Sequence, residues 1–151
     1  MHDITVESGT WQGLGTDAAR VRETVFVREL GIDAPLVSDE ADLVAVHVVA
    51  YRGGDAVAAA RLLPDGAIGR LAVLADARGV GIGSLILHAL IAHAERRGDR
   101  CVWLYAQRDA VPFYLRHAFS VVGEPFYEAG VEHVEMSRRL DVETSKTNRR
   151  S

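Results

Sequence analysis

Lysine is almost absent. The 151 residues hold 17 lysines and arginines together, yet the only lysine is Lys146, in a polar C-terminal stretch. A phosphate loop of the GxxxxGK[ST] kind needs a lysine beside its glycines, and pyridoxal phosphate chemistry needs one inside the fold, so both are excluded. Cysteine is as scarce. Cys101 stands alone, which excludes an intrachain disulfide and a Cys-rich metal cluster. An excess of basic charge is also missing. The formal net charge is −4, the wrong sign for displacing counterions from nucleic acid. No apolar run reaches membrane-spanning length. The start, Met1-His2-Asp3-Ile4-Thr5, lacks the basic and apolar regions of a signal peptide. The expectation is a cytoplasmic protein with no membrane or nucleic-acid partner.

What is present is globular in character. Hydrophobic residues make up 48% and charged residues 25%, and the length suits one domain. The pattern predicts a domain over residues 1–140 and a frayed polar tail over 141–151. Ile4–Glu7 reads as a strand, after which Trp11, Gly13 and Gly15 break the pattern. Thr16 or Asp17 then caps a helix to about Leu30, with Val21, Val25, Phe26 and Leu30 on one face. Residues 33–42 are polar and irregular. Strands follow over Leu43–Tyr51, Ala56–Leu63 and Ala67–Leu74. A long helix spans Ser84 to about Arg97, and Cys101–Ala106 is a strand. A short helix runs from Asp109 to about His117, and Phe119–Val122 with Val131–Arg138 close the sheet. The order predicts a mixed α/β fold, with about seven strands in a central mixed sheet and helices on both faces.

The most informative segment is Arg78-Gly79-Val80-Gly81-Ile82-Gly83, between a strand and the long helix. Alternating glycines at a helix start bare the backbone N–H groups. With the positive end of the helix dipole these form an anion site, and Arg78 adds a charge-assisted contact. A tight turn with close strand–helix packing explains the same glycines. The dinucleotide GxGxxG spacing is not met, because Ser84 stands where its last glycine would fall.

This loop resembles the Arg/Gln-x-x-Gly-x-Gly/Ala signature of the GNAT superfamily of N-acetyltransferases, at Arg78, Gly81 and Gly83. The preceding Gly69-Arg70-Leu71-Ala72-Val73 resembles that family's pantetheine-pairing strand. Residues 110–119, with Phe113-Tyr114 and Phe119, resemble its Phe-Tyr-x-x-x-Gly-Phe landmark, although Ala118 replaces the glycine. Residues 124–136 and Val25-Phe-Val-Arg-Glu29 are similar to a small bacterial branch. The resemblance covers about residues 3–140. It implies acetyl-CoA as acyl donor, an amine acceptor, direct attack, and a homodimer as one possible arrangement. It places pantetheine between strands 67–74 and 101–106, against the backbone of Leu71, Ala72 and Val73 and beside Phe113. The diphosphate falls to Arg78, Gly79, Val80, Gly81, Ile82, Gly83 and Ser84.

For the chemistry, Tyr114 matches the family's usual general acid, and a phenol can donate there. An aromatic in the core is the other reading. N–H groups near Val73 suit a developing oxyanion. His47 is a candidate to line the acceptor groove or, alternatively, a hydrogen-bonded core histidine. His133 shares a face with Glu135 and is either a site residue or part of a solvated face. Asp39, Glu40 and Asp42 either attract a cationic amine or sit in a solvated loop. No metal site is expected, since His88 and His93 are five apart on a helix. A domain that binds acyl-CoA as a sensor or interaction module, without turnover, would keep the loop and dispense with the acid.

Overall fold

The computed structural model describes residues 3–140; the tail predicted over 141–151 lies outside the described residues. Two compact units are present. One holds the chain up to Pro64 together with Ile68–Ala92. The other holds Asp65–Ala67 together with the chain from His93 onward. All seven expected strands form, in two sheets rather than one.

The first unit carries a four-stranded sheet in the order β1-β2-β3-β4: β1 is Ile4–Gly9, β2 Val46–Arg52, β3 Asp55–Leu62 and β4 Ile68–Val73, each antiparallel to its neighbour. Helix α1, Trp11–Arg22, packs Leu14, Ala18 and Val21 onto Val49, Ala59 and Ala72 of this sheet. It begins earlier than expected because Thr10 caps it, accepting the Gly13 N–H at 3.2 Å. Gly13 and Gly15 therefore lie inside the helix. At Gly15 a Cβ would stand 2.8 Å from the Trp11 indole, so glycine here makes room for the ring.

After Arg22 the helix widens into a π turn over Glu23–Glu29, with Leu30 N–H donating to Val25 O at 3.0 Å. The wider turn rotates later residues off the apolar face. Val25 is buried as expected, but Leu30 is 56% exposed. The strand predicted from Leu43 starts only at Val46. Asp39 forms a capping box with Asp42 and winds Glu40–Leu43 into a 3₁₀ turn, which leaves Leu43 and Val44 exposed.

A bulge interrupts β4. Ala59 faces Ala72 and Arg61 faces Gly69, so β4 carries one extra residue there, and Arg70 takes a left-handed φ of 53°. Helix α2, Ile82–Arg97, buries Ile82, Ile86, Leu87, Leu90, Ile91 and Ala94 along one side.

The second unit carries a three-stranded antiparallel sheet, β5-β7-β6: β5 is Cys101–Gln107, β6 Ser120–Glu128 and β7 Val131–Arg139. Ala67 makes a single parallel bridge to Trp103. Strand β6 runs past its expected end at Val122. Its register slips between Val122 and Phe126, and Pro125 is tolerated because β6 is an edge strand. Helix α3 is short, Val111–Leu115, with Pro112 in its first turn. Ala118 then reverses the chain with φ 67°, and Phe119 N–H closes on Tyr114 O at 3.1 Å. A glycine would take this left-handed turn without the strain an alanine bears. Among the described residues no helix is long and apolar enough to cross a membrane.

Candidate active site

The glycine loop takes the conformation its glycines permit. Gly79 and Gly81 have φ of 82° and 88°, and a Cβ built on either meets nothing within 4 Å. Open space therefore lies in front of the loop. The first α2 bond is Leu85 N–H to Gly81 O at 3.1 Å, so the N–H groups of Ile82, Gly83 and Ser84 precede the intrahelical ladder. Val80 is 70% exposed, whereas Ile82 anchors the helix start in the core.

Next to the loop in the chain is β4, the outermost strand of its sheet. Leu74 donates its N–H to Val57 O at 2.9 Å, so by alternation Val73 and Leu71 turn their N–H and C=O away from β3. Ala72 pairs with Ala59 and buries its methyl group. Of the three residues expected to meet pantetheine, two thus turn backbone groups outward from the sheet and one does not.

Arg78 is differently engaged from the sequence expectation. Both terminal nitrogens grip Glu29, at 2.7 and 2.9 Å, and Nε donates to Val73 O at 2.8 Å. Its hydrogen bonds hold the Glu29 carboxyl below its ordinary value of 4.5. Three of its five N–H donors are thus taken within the protein.

His47 corrects the groove reading. It is fully buried, and Nε2 meets Asp42 O at 2.9 Å. Burial pushes its pKa below 6.5. It belongs to a buried polar cluster that the sequence reading missed. Arg22 donates twice to the Asp42 carboxylate, at 2.9 and 3.0 Å, and Arg61 donates to it at 3.0 Å. Arg61 and Arg70 also reach Asp39, at 2.6 and 3.2 Å, and Arg22 stacks over the Trp11 ring at 5.1 Å. Burial raises the Asp42 pKa, but the two guanidiniums and the Asp39 N–H outweigh it and hold it at about 2. Asp39 and Asp42 therefore serve the protein's own arginines rather than a cationic ligand. The Asp-x-x-Asp spacing of the capping box was the available signal.

In the second unit Tyr114 is 9% exposed, edge-on to Phe113 at 5.0 Å and to Phe119 at 5.6 Å. The ring is a core aromatic, as one of the two sequence readings has it, and burial raises the phenol to about 12, so the hydroxyl keeps its proton at neutral pH. His133 is half-buried. Nδ1 sits 2.9 Å from Val131 O, which can only accept, so Nδ1 carries the proton and a neutral ring keeps its lone pair on Nε2. Its ring stacks on Phe126 at 5.6 Å.

Residues 38–140 match the family described as the acetyltransferase (GNAT) domain. The chain belongs to the GNAT acetyltransferase family. The uncharacterized N-acetyltransferase YjcF of Bacillus subtilis is 38% identical over 126 residues, which cover 81% of this chain and 90% of YjcF. The crystal structure of Escherichia coli ElaA superimposes with a TM-score of 0.81 at 25% identity, covering 91% of this chain and all of the other. An acyl-CoA N-acyltransferase from Pseudomonas aeruginosa gives 0.74 at 30% identity, covering 91% and 99%. This GNAT protein is accordingly an acyltransferase. The mixed α/β architecture expected from the sequence is that of these neighbours.

Proposed function

We propose that the protein is an acetyl-CoA-dependent N-acetyltransferase acting on a primary amine of a small molecule or a protein. The observation that carries this reading is the open space before Gly79 and Gly81, at the head of α2 and directly after a sheet edge with outward backbone groups at Leu71 and Val73. That arrangement suits a diphosphate joined to an amide-bearing arm.

Acetyl-CoA supplies an acyl carbon already activated as a thioester, so the protein's task is positioning and proton management. The N–H groups from Gly79 to Ser84 hold the diphosphate. The edge groups of Leu71 and Val73 pair with the pantetheine amides once Arg78 leaves Val73 O, and an N–H near Val73 stabilises the developing oxyanion. The amine attacks directly. His133 Nε2 is the assigned proton acceptor, and the Tyr114 hydroxyl protonates the departing thiolate.

The reading is tested by thiol release from acetyl-CoA with a panel of primary amines. Amine-dependent, saturable release is expected. Saturable acetyl-CoA binding without turnover on any amine would replace the enzyme with a sensor module, and no binding would end the reading.

A further inference from the structure

The three-stranded sheet has two unlike faces. Alternation sends Val102, Leu104, Ala106, Val134 and Met136 to the buried side. Tyr105, Glu135 and Val122 lie abreast on the opposite side, as do His133 and Phe126. An open sheet face is ordinarily polar, yet this one exposes Tyr105 to 56% and stands it edge-on to Phe126 at 5.2 Å.

The bulge in β6 explains the hollow. Residues 123–125 fall out of register, and Gly123 adopts φ 75°. Glu124 lies in this kinked stretch and lines the hollow. The result is a cavity of about 500 Å³ within this unit, floored by Tyr105, Phe126 and Val122 and walled by Glu124, Glu128 and Glu135. That volume is in the range of small-molecule sites, roughly 300–1,000 Å³. No lysine or arginine lines it. Among the described residues, none of the three carboxylates has an ion-pair partner. Elsewhere the chain spends arginines freely on carboxylates: Glu29, Asp39, Asp42 and Asp99 are all paired.

We propose that this cavity binds an aliphatic polyamine, with its ammonium groups on Glu124, Glu128 and Glu135 and its methylene chain across Tyr105 and Phe126. The three carboxylates are separate anchors along one lining, and one cation is too few for three. The aromatic faces add cation–π attraction and cover the apolar stem, a combination that a metal ion cannot use. A lone ammonium on a short chain would leave either the rings or two of the carboxylates unserved. The inference deepens the N-acetyltransferase reading by giving its amine acceptor a chemical class, and it rests on that reading only for what happens after binding.

The test is calorimetric titration of the full chain with spermidine, without acetyl-CoA, so that binding and turnover fail separately. Saturable 1:1 binding is expected, weakening as salt is raised. Glu124→Gln, on the exposed bulge, and Tyr105→Leu should each weaken it roughly three- to tenfold, with unchanged melting temperatures. n-Butylamine should bind at least tenfold more weakly, by about 1.4 kcal/mol. Absence of saturation at millimolar spermidine overturns the proposal. So does an affinity equal to the parent's in both variants, or equal displacement of the polyamine by magnesium at matched ionic strength. If spermidine binds as described and acetyl transfer is absent, the cavity assignment stands and the enzymatic reading falls.

Discussion

Arg78 and Glu29 form a two-pronged ion pair, and the same arginine closes the free edge of β4 at Val73 O. The loop's only cation thus has a carboxylate partner beside the space its glycines leave open. Glu29→Gln removes the competing charge. Acetyl-CoA should then bind roughly two- to fivefold more tightly, since exposed pairs of this kind contribute little energy. Calorimetric titration of the variant checks this; weaker binding would mean that Glu29 presents Arg78 to the ligand instead.

Tyr114 supplies a cleaner functional test. Its ring is packed on two phenylalanines, so Tyr114→Phe keeps the packing and removes only the hydroxyl. Turnover should fall about 10²–10⁴-fold if the phenol is the acid, while acetyl-CoA affinity and melting temperature stay put. Steady-state kinetics with the parallel melt separate the two effects.

The buried cluster predicts acid sensitivity. The folded-state pKa of Asp42 is depressed from 3.8 to about 2, so its contribution is fully present above 3.8 and is lost as pH falls toward 2. That contribution amounts to about 2 kcal/mol. His47 is also depressed, from 6.5, so keeping it neutral begins to cost stability once pH drops below 6.5. Both act in the same direction. Urea midpoints should decline below pH 6.5 and more steeply below pH 4. Asp42→Ala leaves two buried guanidiniums without their shared carboxylate, should cost about 3–5 kcal/mol, and should flatten the lower limb of the profile.

Ala118 offers an independent check on the turn after α3. Its φ of 67° strains an alanine, so Ala118→Gly should stabilise the protein by about 0.5–1 kcal/mol despite the greater chain entropy of glycine. A lower urea midpoint would contradict the left-handed turn.

Much of this architecture was legible because it depends on local periodicity. The apolar runs of β2 and β3, the amphipathic α2 and the alternating β7 were each set by side-chain pattern. Errors came where a polar side chain redirected the backbone. Thr10 started α1 six residues before Thr16, and the Asp39 capping box delayed β2 past two apolar residues that composition alone assigns to a strand. The π turn after Arg22 has no periodic signature. In the site, the glycine loop was readable because positive φ demands glycine. The Arg22–Asp42–Arg61 cluster was not, since its members are separated by about twenty residues and meet only through the fold. The acidic cavity also escaped notice, because it needs three strands in register and a bulge.

The account depends most on bare backbone N–H groups at the head of α2 holding a diphosphate. Gly81→Leu tests it directly. The side chain would enter space that is now open, and the backbone strain should be limited to roughly 1–2 kcal/mol. Calorimetry with acetyl-CoA, alongside a melting curve, should show a folded protein whose affinity has dropped at least a hundredfold, about 2.7 kcal/mol. A folded variant that binds acetyl-CoA as tightly as the parent would contradict the account.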